Sequence, residues 1–259
     1  MTYGLDGHVA LVTGSTSGIG LGIAQELINE GVRVIINGIE PAEKGDEIAA
    51  AFGDAAVYIQ ADLSRTSAVA DLMARSEAAF GRLDILVNNA GIQHVAPLAE
   101  FPPEKYDLII ALNQSSVFHT TRLALPMMRK LGRGRIINIA SAHGLVGSPF
   151  KSAYVAAKHA VIGLTKVTAL ETAEENITAN AICPGYVLTP LVEAQIDAQA
   201  KAHGIAREAV IRDVLLAQQP NKKFATTAEI GALTAFLASD AAASITGTAL
   251  PVDGGWTAH

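Results

Sequence analysis

The chain has 259 residues, of which half are apolar and only 5% aromatic, so its core must be built mainly from aliphatic side chains. The formal net charge of −6 comes without any basic cluster, which argues against a nucleic-acid partner. The single cysteine, Cys183, excludes an intramolecular disulfide framework. It ends an apolar run, so we predict a buried thiol rather than a nucleophile, and we predict no metal site.

The N-terminal residues are typical of a first strand rather than of a targeting segment. The sequence begins MTYGLDGHVALVTG, which lacks the basic start and the long apolar run of a signal peptide. No apolar stretch reaches about 18 residues without a charge, so no membrane-spanning helix is predicted. We therefore expect a cytoplasmic protein that acts without a membrane.

Short apolar runs alternate with helical patterns along the chain. Because these runs are nearly continuous, they are typical of a parallel sheet that is covered on both faces. The alternation predicts one doubly wound, Rossmann-like α/β domain over residues 1–259, with a mostly parallel seven-stranded sheet and helices on both faces. The predicted strands are 8–13, 32–37, 56–60, 83–88, 134–140, 177–183 and 248–252. The predicted helices lie near 19–30, 42–52, 66–80, 104–130, 152–175 and 227–239.

The segment of about 186–222 interrupts this alternation after the sixth predicted strand. Most of it is helical in pattern, polar, and rich in alanine and glutamine. We interpret it as a small helical lid within the same domain, which is expected to close over a small substrate and exclude water.

A glycine-rich turn follows the first predicted strand. It reads TGSTSGIG, in which Gly14, Gly18 and Gly20 open the first helix. Such glycines permit a tight turn and close approach of the backbone to a ligand, and the N-terminus of the helix attracts a pyrophosphate. A structural strand-to-helix turn is the alternative, but the position after the first strand favours a dinucleotide site.

Two further segments belong to the same predicted cleft. Asp62 and Leu63 follow the third strand, where a carboxylate can accept a hydrogen bond from the amino group of adenine. The residues Asn88-Asn89-Ala90-Gly91 end the fourth strand at the carboxyl edge of the sheet, where ligands of open α/β sheets bind. Either asparagine is equally explained as an ordinary turn residue.

The end of the second predicted strand distinguishes NAD from NADP. It reads Asn37-Gly38-Ile39-Glu40, with neither an acid at the strand end nor an arginine for a 2′-phosphate. No basic residue occurs in the glycine turn, and Glu40 would repel a phosphate. NAD is therefore the predicted cofactor.

Ser141, Tyr154 and Lys158 have the spacing expected for proton transfer to and from an alcohol oxygen. Tyrosine, with an ordinary pKa near 10, is a poor base at neutral pH. Tyr154 and Lys158 lie four residues apart and share a helix face. An ammonium about 4 Å away contributes about 4 kcal/mol at an effective dielectric near 20, enough to lower the tyrosine pKa by roughly three units. The alternative is a packed tyrosine beside a solvated lysine.

Together with NNAG at 88–91, Asn113 and Pro184-Gly185, these motifs resemble the short-chain dehydrogenase/reductase family over essentially the whole chain. The resemblance implies that Tyr154 is the general acid/base, that Lys158 lowers its pKa and binds the nicotinamide ribose, and that Ser141 polarises the substrate oxygen. It also implies that Asn113 binds a water of the proton relay. The cofactor-binding residues that follow from the motifs and the resemblance are Thr13, Gly14, Ser15, Ser17, Gly18, Ile19, Gly20, Asn37, Asp62, Leu63, Asn89, Ala90, Gly91, Tyr154, Lys158, Pro184, Gly185, Val187 and Thr189.

Within that family, the segments 91–97, 118–126, 137–148, 153–171 and 180–196 and the terminal DGGWTAH closely resemble bacterial D-3-hydroxybutyrate dehydrogenases. The resemblance implies NAD-dependent interconversion of D-3-hydroxybutyrate and acetoacetate. Four polar residues of these segments, Gln93, His143, Lys151 and Gln195, are each better explained singly as a surface or turn residue. Together they favour a small 3-hydroxy or 3-keto carboxylate as substrate. The implied substrate-binding residues are Gln93, Ser141, His143, Lys151, Tyr154, Tyr186, Gln195 and Trp256.

Two positions depart from these relatives. Tyr186 replaces the usual tryptophan, which widens the expected pocket, and Gln114 stands where leucine is usual. The alternative functions are an NADP-linked 3-ketoacyl reductase, another short-chain alcohol dehydrogenase, or a non-catalytic dinucleotide-sensing scaffold. The resemblance also implies a homotetramer that packs through the long helices 104–130 and 152–175.

Overall fold

A fully parallel seven-stranded sheet forms the centre of the molecule. The computed structural model describes residues 3–258, apart from the side chains of residues 191, 195, 198, 199, 202 and 203. The strands are β1 (Val9–Val12), β2 (Arg33–Gly38), β3 (Ala56–Gln60), β4 (Ile85–Asn88), β5 (Gly134–Ile139), β6 (Ile177–Pro184) and β7 (Ala249–Val252). Their order is β3-β2-β1-β4-β5-β6-β7, and all neighbouring pairs are parallel, which confirms the predicted fold class.

Helices cover both faces of this sheet. They are α1 (Gly18–Asn29), α2 (Ala42–Ala50), α3 (Thr66–Phe80), α4 (Pro103–Ile110), α5 (Ser116–Leu131), α6 (Ser152–Glu171), α7 (Pro190–His203), α8 (Arg207–Ala209) and α9 (Thr227–Ala238). No helix within residues 3–258 has both the length and the apolar character that crossing a membrane requires.

Alternate residues of β1 pack on opposite faces of the sheet. Ala10 and Val12 belong to a core that contains side chains of α1 and α9. Val9 and Leu11 belong to a second core, which contains side chains of α3 and α5. Because both faces are buried, both favour apolar side chains, and this explains the continuous apolar runs of the sequence. Each fully buried Val or Leu side chain stabilises the fold by about 1.5–3 kcal/mol.

The strand order creates a crevice at the carboxyl ends of β1 and β4. From β1 the chain builds the sheet outward through β2 to β3, and then returns to the other side of β1 as β4. The loops after these two strands therefore diverge at adjacent positions, which is where ligands bind in open α/β sheets. The N–H of Thr13 donates to the carbonyl oxygen of Val87 at 3.0 Å and joins the two strand ends.

The predicted helix 104–130 is interrupted by a π-helical turn at Ala111–Ser115, which separates α4 from α5. Its side-chain pattern gave no sign of this turn, because inserting one residue into a helical turn leaves the local sequence helix-compatible. A second π-helical turn, Val210–Leu215, follows α8 in the segment between β6 and α9. That segment contains the predicted helical structure, and its two ends pair through a parallel bridge between Val187 and Ala225.

Candidate functional site

A cavity of ≈ 1010 Å³ opens at the carboxyl edge of the sheet. Its lining comes from the loops after β1, β2, β4 and β5, from α6, and from the segment after β6. The predicted site residues that line it are Gly14, Ser17, Gly18, Ile19, Gly20, Asn37, Leu63, Asn89, Ala90, Gly91, Gln93, Ser141, His143, Lys151, Tyr154, Lys158, Pro184, Gly185, Tyr186, Val187, Thr189 and Trp256.

The glycine turn has a shape that side chains would block. Gly14 and Gly18 have φ angles of +59° and +56°, which L-residues with side chains rarely adopt. A Cβ atom at Gly14 would lie 2.8 Å from the Cα of Ala90, and one at Gly20 would collide with the carbonyl oxygen of Gly14. The turn leads directly into the N-terminus of α1, and this cradle fits the pyrophosphate of a dinucleotide.

Two predicted cofactor residues, Thr13 and Ser15, support the turn from below rather than line the cavity. The hydroxyl oxygen of Thr13 accepts hydrogen bonds from the N–H groups of Asn89 at 2.9 Å and Ala90 at 3.0 Å. In return, the side-chain amide of Asn89 donates to the carbonyl oxygens of Thr13 and Gly14, both at 2.9 Å. The hydroxyl of Ser15 donates to the carbonyl oxygen of Val12 at 2.6 Å.

The two neighbouring asparagines at the carboxyl end of β4 have different tasks. Asn88 is buried, donates to Asn138 at 2.9 Å and accepts from the Thr120 hydroxyl at 2.7 Å, so it links β4 to β5 and α5. Asn89 braces the glycine turn. The sequence pattern could not separate these roles, because both residues end the same strand.

Glu40 folds back over the end of β2. One carboxylate oxygen accepts a hydrogen bond from the Thr16 hydroxyl at 2.8 Å, and the other is buried without a partner within the described residues. Gly38 leaves the space for this carboxylate, because a Cβ there would collide with Glu40 Oε2. Thr16, Gly38, Ile39 and Glu40 all line the cavity, so this carboxylate belongs to the part of the lining that follows β1 and β2.

Asp62 lies beside the main cavity instead of lining it. It contributes to an adjacent cavity of ≈ 300 Å³, together with Ile39 and Arg65. Its Oδ1 accepts from the N–H and the hydroxyl of Ser64 at 3.0 and 2.7 Å. The hydrogen bond from the Ser64 hydroxyl is the main cause that lowers the pKa of Asp62, so the carboxylate is ionised at neutral pH.

The serine, tyrosine and lysine of the predicted proton-transfer set meet at the end of β5. Ser141 follows the strand, and its hydroxyl oxygen accepts from the N–H of His143 at 3.1 Å. Tyr154 and Lys158 project from α6 into the same cavity. The Lys158 ammonium is buried, lies 5.6 Å from the centroid of the Tyr154 ring, and donates to the carbonyl oxygen of Ile139 at 2.7 Å.

The pKa of Tyr154 is raised in this arrangement, not lowered. Burial of the phenol is the main cause, and a hydrogen bond with the Ser141 hydroxyl opposes it. The charge of Lys158 is not among the causes of this shift, so its lowering of the Tyr154 pKa stays a prediction; in the structure the ammonium donates to a main-chain carbonyl at the sheet edge. Burial also lowers the pKa of Lys158 itself to about 8.

Asn113 lies in the π-helical turn, and both ends of its side-chain amide are occupied. Its Oδ1 accepts from the N–H of Ile92 at 2.9 Å, and its Nδ2 donates to the carbonyl oxygen of Ile92 at 2.8 Å. The amide therefore fixes the loop after β4 directly.

The thiol of Cys183 is fully buried near the end of β6, and burial raises its pKa to about 11, as expected for an unreactive thiol.

A basic and aromatic cluster closes the other end of the cavity. His143 is in edge contact with Tyr154 and Trp256, with ring centroids 6.0 and 5.0 Å apart. Trp256 also stacks on Tyr186 at 6.1 Å and 6° between the planes. The Lys151 ammonium lies 5.8 Å from the centroid of the Tyr186 ring.

Two groups in this cluster lack partners. His143 Nε2 is buried without a hydrogen-bond partner, and Lys151 takes part in no ion pair, as far as the described residues show. Burial, followed by the charge of Lys151, lowers the pKa of His143 to about 4, and burial lowers the pKa of Lys151. Gln93 lines the cavity as an exposed residue, whereas the side chain of Gln195 lies outside the described residues.

Some lining residues were not predicted from the sequence. Glu40 was considered only for its repulsion of a 2′-phosphate; its hydrogen bond with Thr16, which joins the end of β2 to the glycine turn, was not predicted. Val214 and Leu215 come from the second π-helical turn, where they are apolar residues in a polar segment, a signal that was available. The other unpredicted lining residues are Gly38, Ile39, Ala61, Ile92, Val95, Leu112, Ile139, Ala140, Pro190 and Val192.

Comparison with known proteins gives matches over almost the whole chain. Residues 14–257 match a family described as Enoyl-(Acyl carrier protein) reductase. A D-beta-hydroxybutyrate dehydrogenase of Cupriavidus necator is 54% identical over 257 residues, which cover 98% of this chain and 100% of that protein. A protein of the same name from Rhizobium meliloti is 54% identical over 96% of this chain and 98% of its own length. A 3-oxoacyl-[acyl-carrier-protein] reductase of Haemophilus influenzae is 38% identical over 97% of this chain and 98% of its own.

Proposed function

Because the chain belongs to the short-chain dehydrogenase/reductase family and is an oxidoreductase, we propose that it interconverts D-3-hydroxybutyrate and acetoacetate with NAD. One observation carries the choice of substrate. Lys151 and His143 both line the cavity that contains Ser141 and Tyr154. Among the described residues, the ammonium of Lys151 has no ion pair and Nε2 of His143 is buried without a hydrogen-bond partner. Such a pair fits the carboxylate of a short acid whose hydroxyl reaches the tyrosine. The names of the two relatives at 54% identity support the same substrate.

NAD is the proposed cofactor, and when bound it supplies the hydride acceptor at its nicotinamide ring. The glycine turn before α1 would bind the pyrophosphate, and Asp62 and Leu63 the adenine. Glu40 supports NAD over NADP, because this residue lines the cavity and its negative charge would repel a 2′-phosphate. Pro184, Gly185, Val187 and Thr189 are proposed to contact the nicotinamide half.

Tyr154 is proposed to take the proton from the substrate hydroxyl during oxidation and to return it during reduction. The Ser141 hydroxyl, which bonds to Tyr154, would also bind the substrate oxygen and stabilise its developing charge. Lys158 keeps a positive charge beside the phenol and is proposed to bind the nicotinamide ribose. We propose that the proton then travels to solvent through Lys158 and a water bound near Asn113. The side-chain amide of Asn113 is itself hydrogen-bonded to the main chain of Ile92.

The distance between the carboxylate site and the hydroxyl site is proposed to fix the stereochemistry. If Lys151, His143, Gln93 and Gln195 bind the carboxylate while Ser141 and Tyr154 bind the hydroxyl, the configuration at C3 decides whether its single hydrogen or its methyl group faces the nicotinamide. Trp256 and Tyr186 form a flat apolar wall for the methyl end. Only one enantiomer then places its hydrogen correctly.

A carrier-linked 3-ketoacyl reductase with NADP is the competing enzyme, and the relative at 38% identity has that kind of name. Such an enzyme has no use for a buried ammonium and imidazole at the far end of the substrate cavity, since its substrate is a thioester. An NADP enzyme also gains nothing from the carboxylate of Glu40 at the adenosine end. Both features favour the free acid and NAD.

We further propose that the chain is one cytoplasmic domain, that residues of about 186–222 act as a lid, and that the protein forms a homotetramer. Exposed apolar residues on α4, α5 and α6 support the last proposal, because they are unfavourable to leave in water. They are Leu108, Phe118, Val167 and Leu170, the last of them 78% exposed.

The proposed function is tested by following reduced cofactor with the purified protein, NAD or NADP, and separate D- and L-3-hydroxybutyrate. The expected result is rapid turnover of the D enantiomer with NAD and at least about tenfold lower kcat/KM with NADP. Turnover of another alcohol without turnover of the D acid would contradict the substrate. A 3-ketoacyl thioester reduced faster with NADPH would support the carrier-linked alternative instead.

A further inference from the structure

The backbone of Phe150 is in the left-handed region, immediately before Lys151. Its φ angle is +66°, and among the described residues only Lys222 is another non-glycine residue with positive φ. This region is sterically unfavourable for an aromatic L-residue and is found mainly where surrounding structure imposes it, often near functional sites. The strain therefore requires an explanation at this position.

Packing of the aromatic ring does not supply that explanation. The Phe150 side chain is 57% exposed, so little apolar surface would be lost if the ring turned away. The main chain, in contrast, is engaged: the carbonyl oxygen of Phe150 accepts a hydrogen bond from the N–H of Ala96 at 3.0 Å. Ala96 belongs to the loop after β4, in which Gln93 and Val95 line the cavity.

This hydrogen bond fixes the peptide plane that joins Phe150 to Lys151. On its other side Lys151 is fixed by α6, because its carbonyl oxygen accepts from the N–H of Val155 at 2.9 Å. Lys151 itself is the residue that precedes the helix, with φ −121° and ψ 35°. With both neighbouring peptide planes fixed, the direction of its Cα–Cβ bond is determined as well.

The side chain of Lys151, which leaves along this direction, reaches the cavity. The Lys151 ammonium stands over Tyr186 and is close enough to His143 to affect the pKa of that imidazole. We expect that an extended or right-handed Phe150 could not both offer its carbonyl to Ala96 and lead into the first turn of α6, so that one of the two anchors of Lys151 would be lost.

We propose that Phe150 is a positioning residue, whose left-handed backbone aims Lys151 at the carboxylate of the substrate. The inference rests on the proposed function, because it needs Lys151 to bind that carboxylate. It assigns the role to the main chain of Phe150 and none to its ring.

A series of substitutions at position 150 separates backbone from ring. Phe150→Gly and Phe150→Asn accept positive φ readily, Phe150→Ala less so, and Phe150→Val, which is β-branched, least. The KM for D-3-hydroxybutyrate is expected to stay within about twofold for Gly and Asn and to rise about tenfold for Val, with Ala between them. The kcat and the dissociation constant of NAD are expected to change little throughout. Ala keeps the series informative if the Val variant fails to fold.

Two controls make the test specific. Leu145→Val changes another partly exposed apolar residue of the same loop, where φ is −110°, and should leave the KM unchanged. In a Lys151→Ala background, Phe150→Val should raise the KM no further, because the residue it positions is absent.

The outcomes distinguish this inference from the proposed function. Equal losses for Gly, Asn and Val would show that the ring matters and would overturn the inference, as would no loss for Val. A further rise in KM for Phe150→Val in the Lys151→Ala background would also overturn it. A wild-type protein without activity on D-3-hydroxybutyrate would overturn the proposed function, and the inference with it.

Discussion

The ammonium of Lys151 and the imidazole of His143 face the same end of the cavity, and the charge of the first disfavours protonation of the second. Burial of the imidazole, followed by this charge, lowers the pKa of His143 from an ordinary value of 6.5 to about 4. His143 is therefore neutral at physiological pH and can donate one hydrogen bond without adding a charge. The site offers an anion a single positive charge and one neutral donor.

The same pKa predicts how stability depends on pH. As pH falls from 6.5 to about 4, the unfolded chain binds a proton at residue 143 before the native chain does, so stability is lost over this window. The free energy of unfolding is expected to be about 3 kcal/mol larger at neutral pH than below pH 4 because of this one group. Denaturant unfolding of the wild type and of His143→Gln at several pH values should show a shallower slope for the variant. Parallel slopes would mean that His143 titrates normally.

Removing the Lys151 ammonium should weaken substrate binding selectively. Lys151→Ala is expected to raise the KM for D-3-hydroxybutyrate by about 10- to 100-fold, the size of a charge-assisted hydrogen bond, while NAD binds as before. Steady-state kinetics and a NAD titration measure both quantities. Lys166→Ala, which changes an exposed lysine of α6, is the matched control. A collapse of NAD affinity in Lys151→Ala would place this side chain at the cofactor instead.

Loss of the Tyr154 hydroxyl should remove proton transfer and leave the fold intact. Tyr154→Phe is expected to lower kcat by about 1,000-fold, within the range for loss of general acid/base catalysis. Its thermal unfolding and NAD binding should match the wild type. Tyr106→Phe, at a tyrosine that is 42% exposed, should keep full activity. Substantial turnover by Tyr154→Phe would assign the proton transfer to another group.

Glu40 should govern the choice between the two dinucleotides. Glu40→Gly removes the carboxylate that lies over Gly38, so kcat/KM with NADP is expected to improve by about tenfold and that with NAD to fall. Glu43→Ala, which removes an exposed acid in the first turn of α2, serves as the control. An unchanged ratio of NAD to NADP would mean that selectivity is set elsewhere.

The ring at position 186 should limit substrate length. Tyr186→Trp enlarges the aromatic group that stacks on Trp256, so kcat/KM for 3-hydroxypentanoate should fall about tenfold relative to 3-hydroxybutyrate. Tyr186→Phe keeps the ring size and should keep the wild-type ratio. Should both variants retain that ratio, the stacked pair does not contact the end of the substrate chain.

Much of the architecture followed from local sequence. All seven strands occur where continuous apolar runs predict them, because burial on both faces imposes that composition on each strand separately. The π-helical turn at Ala111–Ser115 could not be predicted, since its residues are compatible with a regular helix. The two asparagines after β4 were also indistinguishable until their partners were known.

The sequence alone determined those parts of the site in which spacing fixes geometry. The glycine turn and the four-residue interval between Tyr154 and Lys158 are properties of one loop and one helix, so neighbouring residues suffice to define them. Tertiary structure decided which distant groups meet and how their charges behave. It brought Glu40 to Thr16 and Lys151 to His143, and it bonded the Lys158 ammonium to Ile139. Strand order and burial set these contacts and pKa values, and both depend on the whole chain at once.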